Sequence, residues 1–219
     1  MRVLVLGGTG GIGPLLIQEL LTALHTVIIY ARSPQKLPDS ITSNPNVVII
    51  KGELMESDLL EKALEGVHAV VSTLGPSVSK GPLHPSGTPL AKAYALLISL
   101  MQKGNAKRLI ALGTASIKDP NDKFDLKFSL LVTGVATFAH NAYKDVVAIG
   151  DNIRSSEGLV WTIARVPILT NSENTDHVSG YIGDGKVKTS LSRKAFAAFV
   201  IEELEKNEWT NKAPMVSAT

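Results

Sequence analysis

Short runs of β-branched residues recur along the chain, and the apolar positions between them fall at helical spacing. VLVL (Val3–Leu6), VIIY (Val27–Tyr30), VVII (Val47–Ile50), AVVS (Ala69–Ser72), LIAL (Leu109–Leu112) and WTIA (Trp161–Ala164) are continuous, not alternating. Strands covered on both faces have this pattern. In PLLIQELLTALH, Leu16, Leu20 and Leu24 share one helical face, and Pro14 sits where a first turn tolerates proline. TPLAKAYALLISLMQKG predicts a helix with Thr88 as N-cap, Pro89 at its first position and Gly104 closing it. SRKAFAAFVIEELEKN predicts another, capped by Ser192. Strands alternating with helices predict an α/β fold, a doubly wound and mainly parallel sheet with helices on both faces. Two stretches interrupt the rhythm. Residues 75–87 are rich in Pro, Gly and Ser and read as a loop after the fourth strand; residues 171–190 are polar, with GDG at Gly183–Gly185 predicting a hairpin turn.

The first strand runs directly into GGTGGIG. Gly8, Gly10 and Gly13 fit G-x-G-x-x-G, and Gly7, Gly10 and Gly13 fit G-x-x-G-x-x-G. Either pattern is weak alone, but here it joins a strand to an amphipathic helix, the context a dinucleotide cradle requires. The turn needs positive φ, the backbone must approach a pyrophosphate, and the helix N-terminus offers amides and a positive dipole end. Gly7, Thr9, Gly10, Gly11, Ile12 and Gly13 are therefore candidate cofactor-binding residues, and the chain reads as one Rossmann domain over residues 1–219.

A carboxylate at the end of the second strand normally holds the ribose 2′-hydroxyl of NAD. The sequence there is VIIYARSPQKL, without an acid between Val27 and Leu37. Arg32 and Ser33 follow the strand and Lys36 lies one turn on. A guanidinium and a hydroxyl suit a 2′-phosphate, so the expected cofactor is NADP(H). Composition narrows the partners. A net charge of +2 argues against nucleic acid or a membrane surface, and the absence of cysteine excludes disulfides and thiolate chemistry. No run approaches the ~18 apolar residues of a spanning helix, and the opening MRVLVLGG is too short for a signal peptide. A cytoplasmic protein, monomeric or homodimeric, with a small-molecule substrate is the expectation.

GGTGGIG, ARSPQKL, VVIIKGELMESDLLEKALEGVHAVVSTLG, KRLIALGTAS, EGLVWTIARVPIL and LSRKAFAAFVIEELEKNEW together cover nearly the whole chain. In their order they resemble an atypical short-chain dehydrogenase/reductase of the small NAD(P)H-binding group related to NmrA and the flavin/biliverdin-IXβ reductases. The resemblance implies that Gly52, Glu53 and Leu54 border the adenine, although family members commonly have Asp at the position of Glu53. It implies that Ser72, Thr73, Leu74 and Gly75 pass beside the ribose and pyrophosphate, and that Thr114, Ala115 and Ser116 end the fifth strand at the active site. Arg165, Val166, Pro167 and Ile168 resemble an R-P-x-x segment that runs past the nicotinamide, with Val166 as an apparent insertion.

Short-chain dehydrogenases commonly use Tyr-x-x-x-Lys, whose spacing puts both residues on one helix face. HNAYKDVVAIGDN departs from it. Tyr143 has Val147 at the lysine position, and Lys144 has His140 at the tyrosine position, so two registers compete for the site. Histidine donates a proton near neutral pH, which makes the second register chemically workable. Spacing to the downstream GL favours the first. Candidate catalytic residues are thus Tyr143, His140, Lys144 and Ser116. Residues 75–87, 128–140 and 171–190 would wall the substrate pocket, with Phe124, Phe128, Leu130, Leu131 and Phe138 as apolar lining. The expected activity is an NADP(H)-dependent reductase acting on a small, largely apolar acceptor. An NmrA-type redox sensor without turnover and a cofactor-retaining isomerase or epimerase are the alternatives.

Overall fold

A computed structural model describes residues 1–76 and 82–219. Its centre is an eight-stranded sheet in the order β3-β2-β1-β4-β5-β6-β10-β8. β1 (Arg2–Leu6), β2 (Thr26–Ala31), β3 (Val47–Lys51), β4 (Ala69–Ser72), β5 (Arg108–Thr114) and β6 (Val160–Val166) pair in parallel. These are the six strands the apolar runs predict. Between them lie α1 (Gly13–Thr22), α2 (Asp39–Thr42), α3 (Ser57–Leu64), α4 (Pro89–Lys103), α5 (Leu126–Phe138) and α6 (His140–Arg154). Beyond β6 come β7 (Ile168–Thr170), β8 (Val178–Gly180), β9 (Ser190–Ser192), α7 (Arg193–Lys206) and β10 (Met215–Ser217). β10 joins β6 in parallel and pairs with β8 antiparallel, while β7 and β9 form a separate two-stranded parallel sheet.

The continuous apolar runs feed two cores. Leu4, Leu6, Ile28, Val70, Leu109 and Ile163 point to the side covered by α3, α4 and α6. Val3, Val5, Val27, Ile29, Val71, Ile110 and Ala164 point to the opposite side, under α1 and α7. Successive strand residues alternate between these cores, so both faces must be apolar.

Helix ends depart from the sequence expectations in two places. α1 stops at Thr22, and Leu24 leaves its face: it takes φ +59° and is 88% exposed. His25 N–H donates to Leu20 O at 3.0 Å and Leu24 N–H to Leu21 O at 3.0 Å, a Schellman closure with leucine at the position glycine normally takes. Thr88 does not cap α4; it has φ +51° and its side chain makes no capping bond. The buried Asp145 carboxylate of α6 does so instead, accepting from Leu90 N–H at 3.0 Å and Ala91 N–H at 2.8 Å. Gly104 closes α4 as expected, its N–H donating to Leu100 O at 3.0 Å, and Lys107 Nζ donates to the last carbonyls at Met101 and Gln102. Ser192 caps α7 as expected, accepting from Ala195 N–H at 2.8 Å. Gly183 and Gly185 do have positive φ, but the turn they make joins no hairpin, because β8 pairs with β10 and β9 with β7.

Candidate functional site

β1 and β4 are neighbours although β2 and β3 lie between them in sequence, so the winding of the sheet reverses there. In open α/β sheets the crevice beyond the carboxyl ends of such strands is where ligands bind. GGTGGIG occupies that position. Gly7 has φ +80°, and a Cβ on it would stand 2.6 Å from Thr73 Oγ1. A Cβ on Gly13 would fall 2.2 Å from Gly8 O, so the helix start and the loop touch backbone to backbone. Gly10 differs: its N–H donates to Gly7 O at 2.9 Å, it is exposed, and a Cβ there would meet only that carbonyl, at 3.2 Å. Gly7 and Gly13 are thus required by the fold, whereas Gly10 keeps the outer wall of the loop bare. Thr9 is half-buried and Ile12 buried beneath the loop. No side chain caps α1, and its first turn holds no acid. An uncapped helix N-terminus behind a loop whose exposed residues, Gly10 and Gly11, carry no side chain suits a pyrophosphate.

The end of β4 is tied to this loop. Thr73 N–H donates to Leu6 O at 2.9 Å, and its hydroxyl lies 3.1 Å from Gly7 O. Ser72 is fully buried and its hydroxyl accepts from Tyr94 Oη at 2.7 Å, which commits that side chain to the core and leaves its backbone to border the crevice. Burial raises the Tyr94 phenol pKa, and this donor stays protonated. Leu74 is half-buried and Gly75 exposed; of the loop that follows, residues 77–81 lie outside the described residues.

Beyond β2, Arg32 and Lys36 are exposed and Ser33 half-buried, and no ion pair engages either cation among the described residues. Tyr30, buried at the end of β2, donates to Glu53 O at 2.7 Å, and a Cβ on Gly52 would fall 2.4 Å from Tyr30 Oη. Gly52 lets the ring pass and thereby sets the course of Glu53, which is exposed, and Leu54, which is half-buried.

At the other side of the crevice Thr114 ends β5, and its hydroxyl accepts from Ser116 N–H at 3.2 Å. Ser116 itself is buried. Val166 is buried and Pro167 half-buried at the end of β6, with Ile168 exposed. Arg165 is different from the segment it belongs to. It is fully buried and holds Asp122 with both ends of its fork, Nη1 to Oδ2 at 2.6 Å and Nη2 to Oδ1 at 2.8 Å. It also donates to Ala213 O at 2.7 Å and Ile117 O at 2.9 Å. Asp122 in turn accepts from Asp119 N–H at 2.9 Å and Ile182 N–H at 3.0 Å. Burial alone would raise the Asp122 pKa, but the guanidinium and these two backbone donors hold it below the usual carboxylate range. Arg165 is thus a clamp joining β6, the loop after β5 and the turn after β8, and its guanidinium is not aimed at a cofactor.

On α6 the two registers part company. Tyr143 and Val147 are half-buried, whereas His140 and Lys144 are exposed. His140 Nδ1 lies 3.3 Å from Ala136 O, one turn back in the chain. Between them Asp145, fully buried, accepts from His84 Nε2 at 2.8 Å while capping α4, and Asn141 Nδ2 donates to His84 O at 3.0 Å. The start of α6 is thereby fastened to the loop after β4. Of the expected pocket lining, Phe128 is buried against Ile182 and Met215, and Leu131 is half-buried; Phe124, Leu130 and Phe138 are 83%, 66% and 78% exposed. Leu130 and Phe138 lie on α5, which packs against α6, and Phe124 precedes that helix. Sequence reading misses Asp122, Asp145, His84 and Arg193, whose partners lie 22 to 61 residues away.

Similarity to known proteins agrees with this geometry. A family model described as NAD(P)H-binding matches residues 7–207. Isoeugenol synthase 1 of Clarkia breweri is 30% identical over 125 residues, 54% of this chain and 36% of the relative. A 3 beta-hydroxysteroid dehydrogenase/Delta 5→4-isomerase of Mycobacterium tuberculosis is 24% identical over 156 residues, 71% of this chain and 35% of the relative. The chain spans about a third of the length of these curated relatives. Among solved structures, a short-chain dehydrogenase/reductase of Veillonella parvula in complex with NADP superposes with a TM-score of 0.81 at 19% identity, covering 99% of this chain and 94% of its own. The anaerobillin reductase ChuY of Escherichia coli O157:H7 does so with a TM-score of 0.77 at 15% identity, covering 99% and 97%. These likenesses establish the single-domain Rossmann architecture. With the family model matched from the glycine loop to the end of α7, the chain belongs to the NAD(P)H-binding family.

Proposed function

We propose that this protein is an NADP(H)-dependent reductase of a small, largely apolar acceptor of carbonyl, enone, quinone or flavin type. The observation that carries the reading is the end of β2: Arg32 stands exposed and outside any ion pair among the described residues, where an NAD site would hold a carboxylate. A guanidinium there rewards a 2′-phosphate with a charge-assisted contact. The bound cofactor supplies a hydride; the chain supplies the rest. The glycine loop and α1 hold the pyrophosphate, Glu53 and Leu54 border the adenine, and Thr73, Leu74 and Gly75 line the path to the nicotinamide. Thr114, Ser116, Val166 and Pro167 frame the acceptor, and Tyr143 is the proton donor nearest in register. Relatives named isoeugenol synthase and isoflavone reductase-like protein are in keeping with this class of acceptor. A cytoplasmic monomer or homodimer is consistent with the composition.

The test is to incubate the protein with NADPH and a panel of quinones, flavins and enones while following loss of reduced-nicotinamide absorbance. Sustained turnover with one class is the expected result. The redox-sensor reading draws on one observation, the absence of any Tyr/Lys pair on one face of α6. NADPH binding without turnover across the panel would favour it.

A further inference from the structure

Arg193 is the first residue of α7, and α7 packs beside α1. Its side chain lies over the glycine loop: a Cβ built on Gly11 would stand 3.1 Å from Arg193 Nε and 3.6 Å from its Cδ. The guanidinium thus fills the space a side chain at residue 11 would take, on the outer surface of the loop, where Gly10 and Gly11 are exposed.

The electrostatics of this placement are unfavourable as they stand. A cation at the first position of a helix faces the positive end of the helix dipole. The start of α1 adds a second positive end, with neither a capping side chain nor an acid in its first turn. Lys194, the next residue, is paired with Glu173. Arg193 has no such relief. Its partner among the described residues is the neutral amide of Asn171, with Nη1 donating to Oδ1 at 2.6 Å. The uncapped start of α1 and a guanidinium therefore meet at one loop, with no ion pair to Arg193 among the described residues, an arrangement that a doubly charged anion would stabilise.

We infer that Arg193 is a pyrophosphate-binding residue, delivering from α7 the cation that the glycine loop lacks, and that Asn171 holds the guanidinium in place until the cofactor arrives. This rests on the proposed dinucleotide site and holds for NADP(H) and NAD(H) alike, since both carry the pyrophosphate.

Calorimetric titration of Arg193→Gln, Arg193→Lys and Asn171→Ala with NADPH, ADP-ribose and adenosine 2′-monophosphate tests it. Arg193→Gln is expected to weaken NADPH and ADP-ribose by roughly ten- to a hundredfold while leaving the 2′-monophosphate, which has no pyrophosphate, within about twofold. Arg193→Lys should recover part of the loss, and Asn171→Ala should lose little, because the charge remains. The inference is overturned if Arg193→Gln binds NADPH as the wild type does. It is equally overturned if that variant weakens all three ligands alike, or if Asn171→Ala matches its loss, since each result assigns the contact to packing. Failure of the wild-type protein to bind NADPH, NADH or ADP-ribose would instead overturn the proposed dinucleotide site, and this inference with it.

Discussion

A 2′-phosphate beside Arg32 gains a charge-assisted contact of about 1.5–3 kcal/mol, roughly ten- to a hundredfold in affinity. NADPH is therefore expected to bind ahead of NADH by that margin, and Arg32→Asp to narrow or invert the order in paired titrations. Equal wild-type affinities would remove the basis for NADP preference. Proton donation is decided more than a hundred residues further along the chain, on α6. Tyr143 is half-buried while His140 and Lys144 are exposed, which favours tyrosine facing the crevice. An essential donor contributes about 10²–10⁴-fold. Tyr143→Phe should slow turnover by that order, whereas His140→Ala and Lys144→Ala should leave it near normal. The reverse pattern, with a pH-rate limb near neutrality, would transfer the role to histidine. If all three variants keep their rates, orientation of the hydride acceptor is the better account of catalysis. The placement of the glycine loop and of Arg32 is legible in sequence because each lies within one strand-turn-helix unit. The roles of Arg165 and Ser72 are not, since a residue's type does not say whether its polar end meets solvent, cofactor or a buried partner.

The strands and the spans of the long helices follow from apolar spacing, because burial on two faces leaves that spacing little freedom. Helix ends are less readable, since capping groups can come from elsewhere in the fold. Thr88 has the right residue type for a cap, yet the carboxylate that serves α4 sits on α6, 54 residues on from Ala91. The short strands β7, β8, β9 and β10 carry too few residues for a pattern, and their pairing is set only when the chain is folded. Leu24 offers a test of how α1 ends. Left-handed conformation costs a non-glycine residue roughly 1–2 kcal/mol, part of which glycine returns as unfolded-state entropy. Leu24→Gly also removes a leucine that is 88% exposed and packs against little. It should stabilise the protein by about 0.5–1 kcal/mol in urea denaturation. A destabilised variant would mean that Leu24 contributes contacts the Schellman closure does not need.

Across the whole molecule, the Arg165–Asp122 clamp joins segments that sequence separates widely, from Ile117 to Ala213. Because the folded state depresses the Asp122 pKa, its contribution to stability is present above the unfolded value of about 3.9 and is lost as pH falls through the folded one. Asp122→Asn leaves Arg165 buried without its counter-charge, at a cost toward the low end of about 3–5 kcal/mol at pH 7. The deficit relative to wild type should shrink only when both are denatured at a pH below the depressed folded-state pKa of Asp122, where the folded carboxyl is protonated. An unchanged deficit there would show that shape, and not charge, holds the clamp. The position of β10 has a consequence for how the protein is made. β10 lies between β6 and β8, and about 50 residues of chain separate the end of β6 from it. At a synthesis rate of roughly 5–20 residues per second, the β6 edge waits about 2–10 s after it is made before its neighbour exists. During that interval the nascent chain presents an unpaired, apolar parallel edge, the kind of template on which strands of other chains add. Slow translation over residues 167–214 would lengthen this exposure, so the yield of folded protein from a cell should depend on codon speed in that stretch more than on the stability of the finished domain.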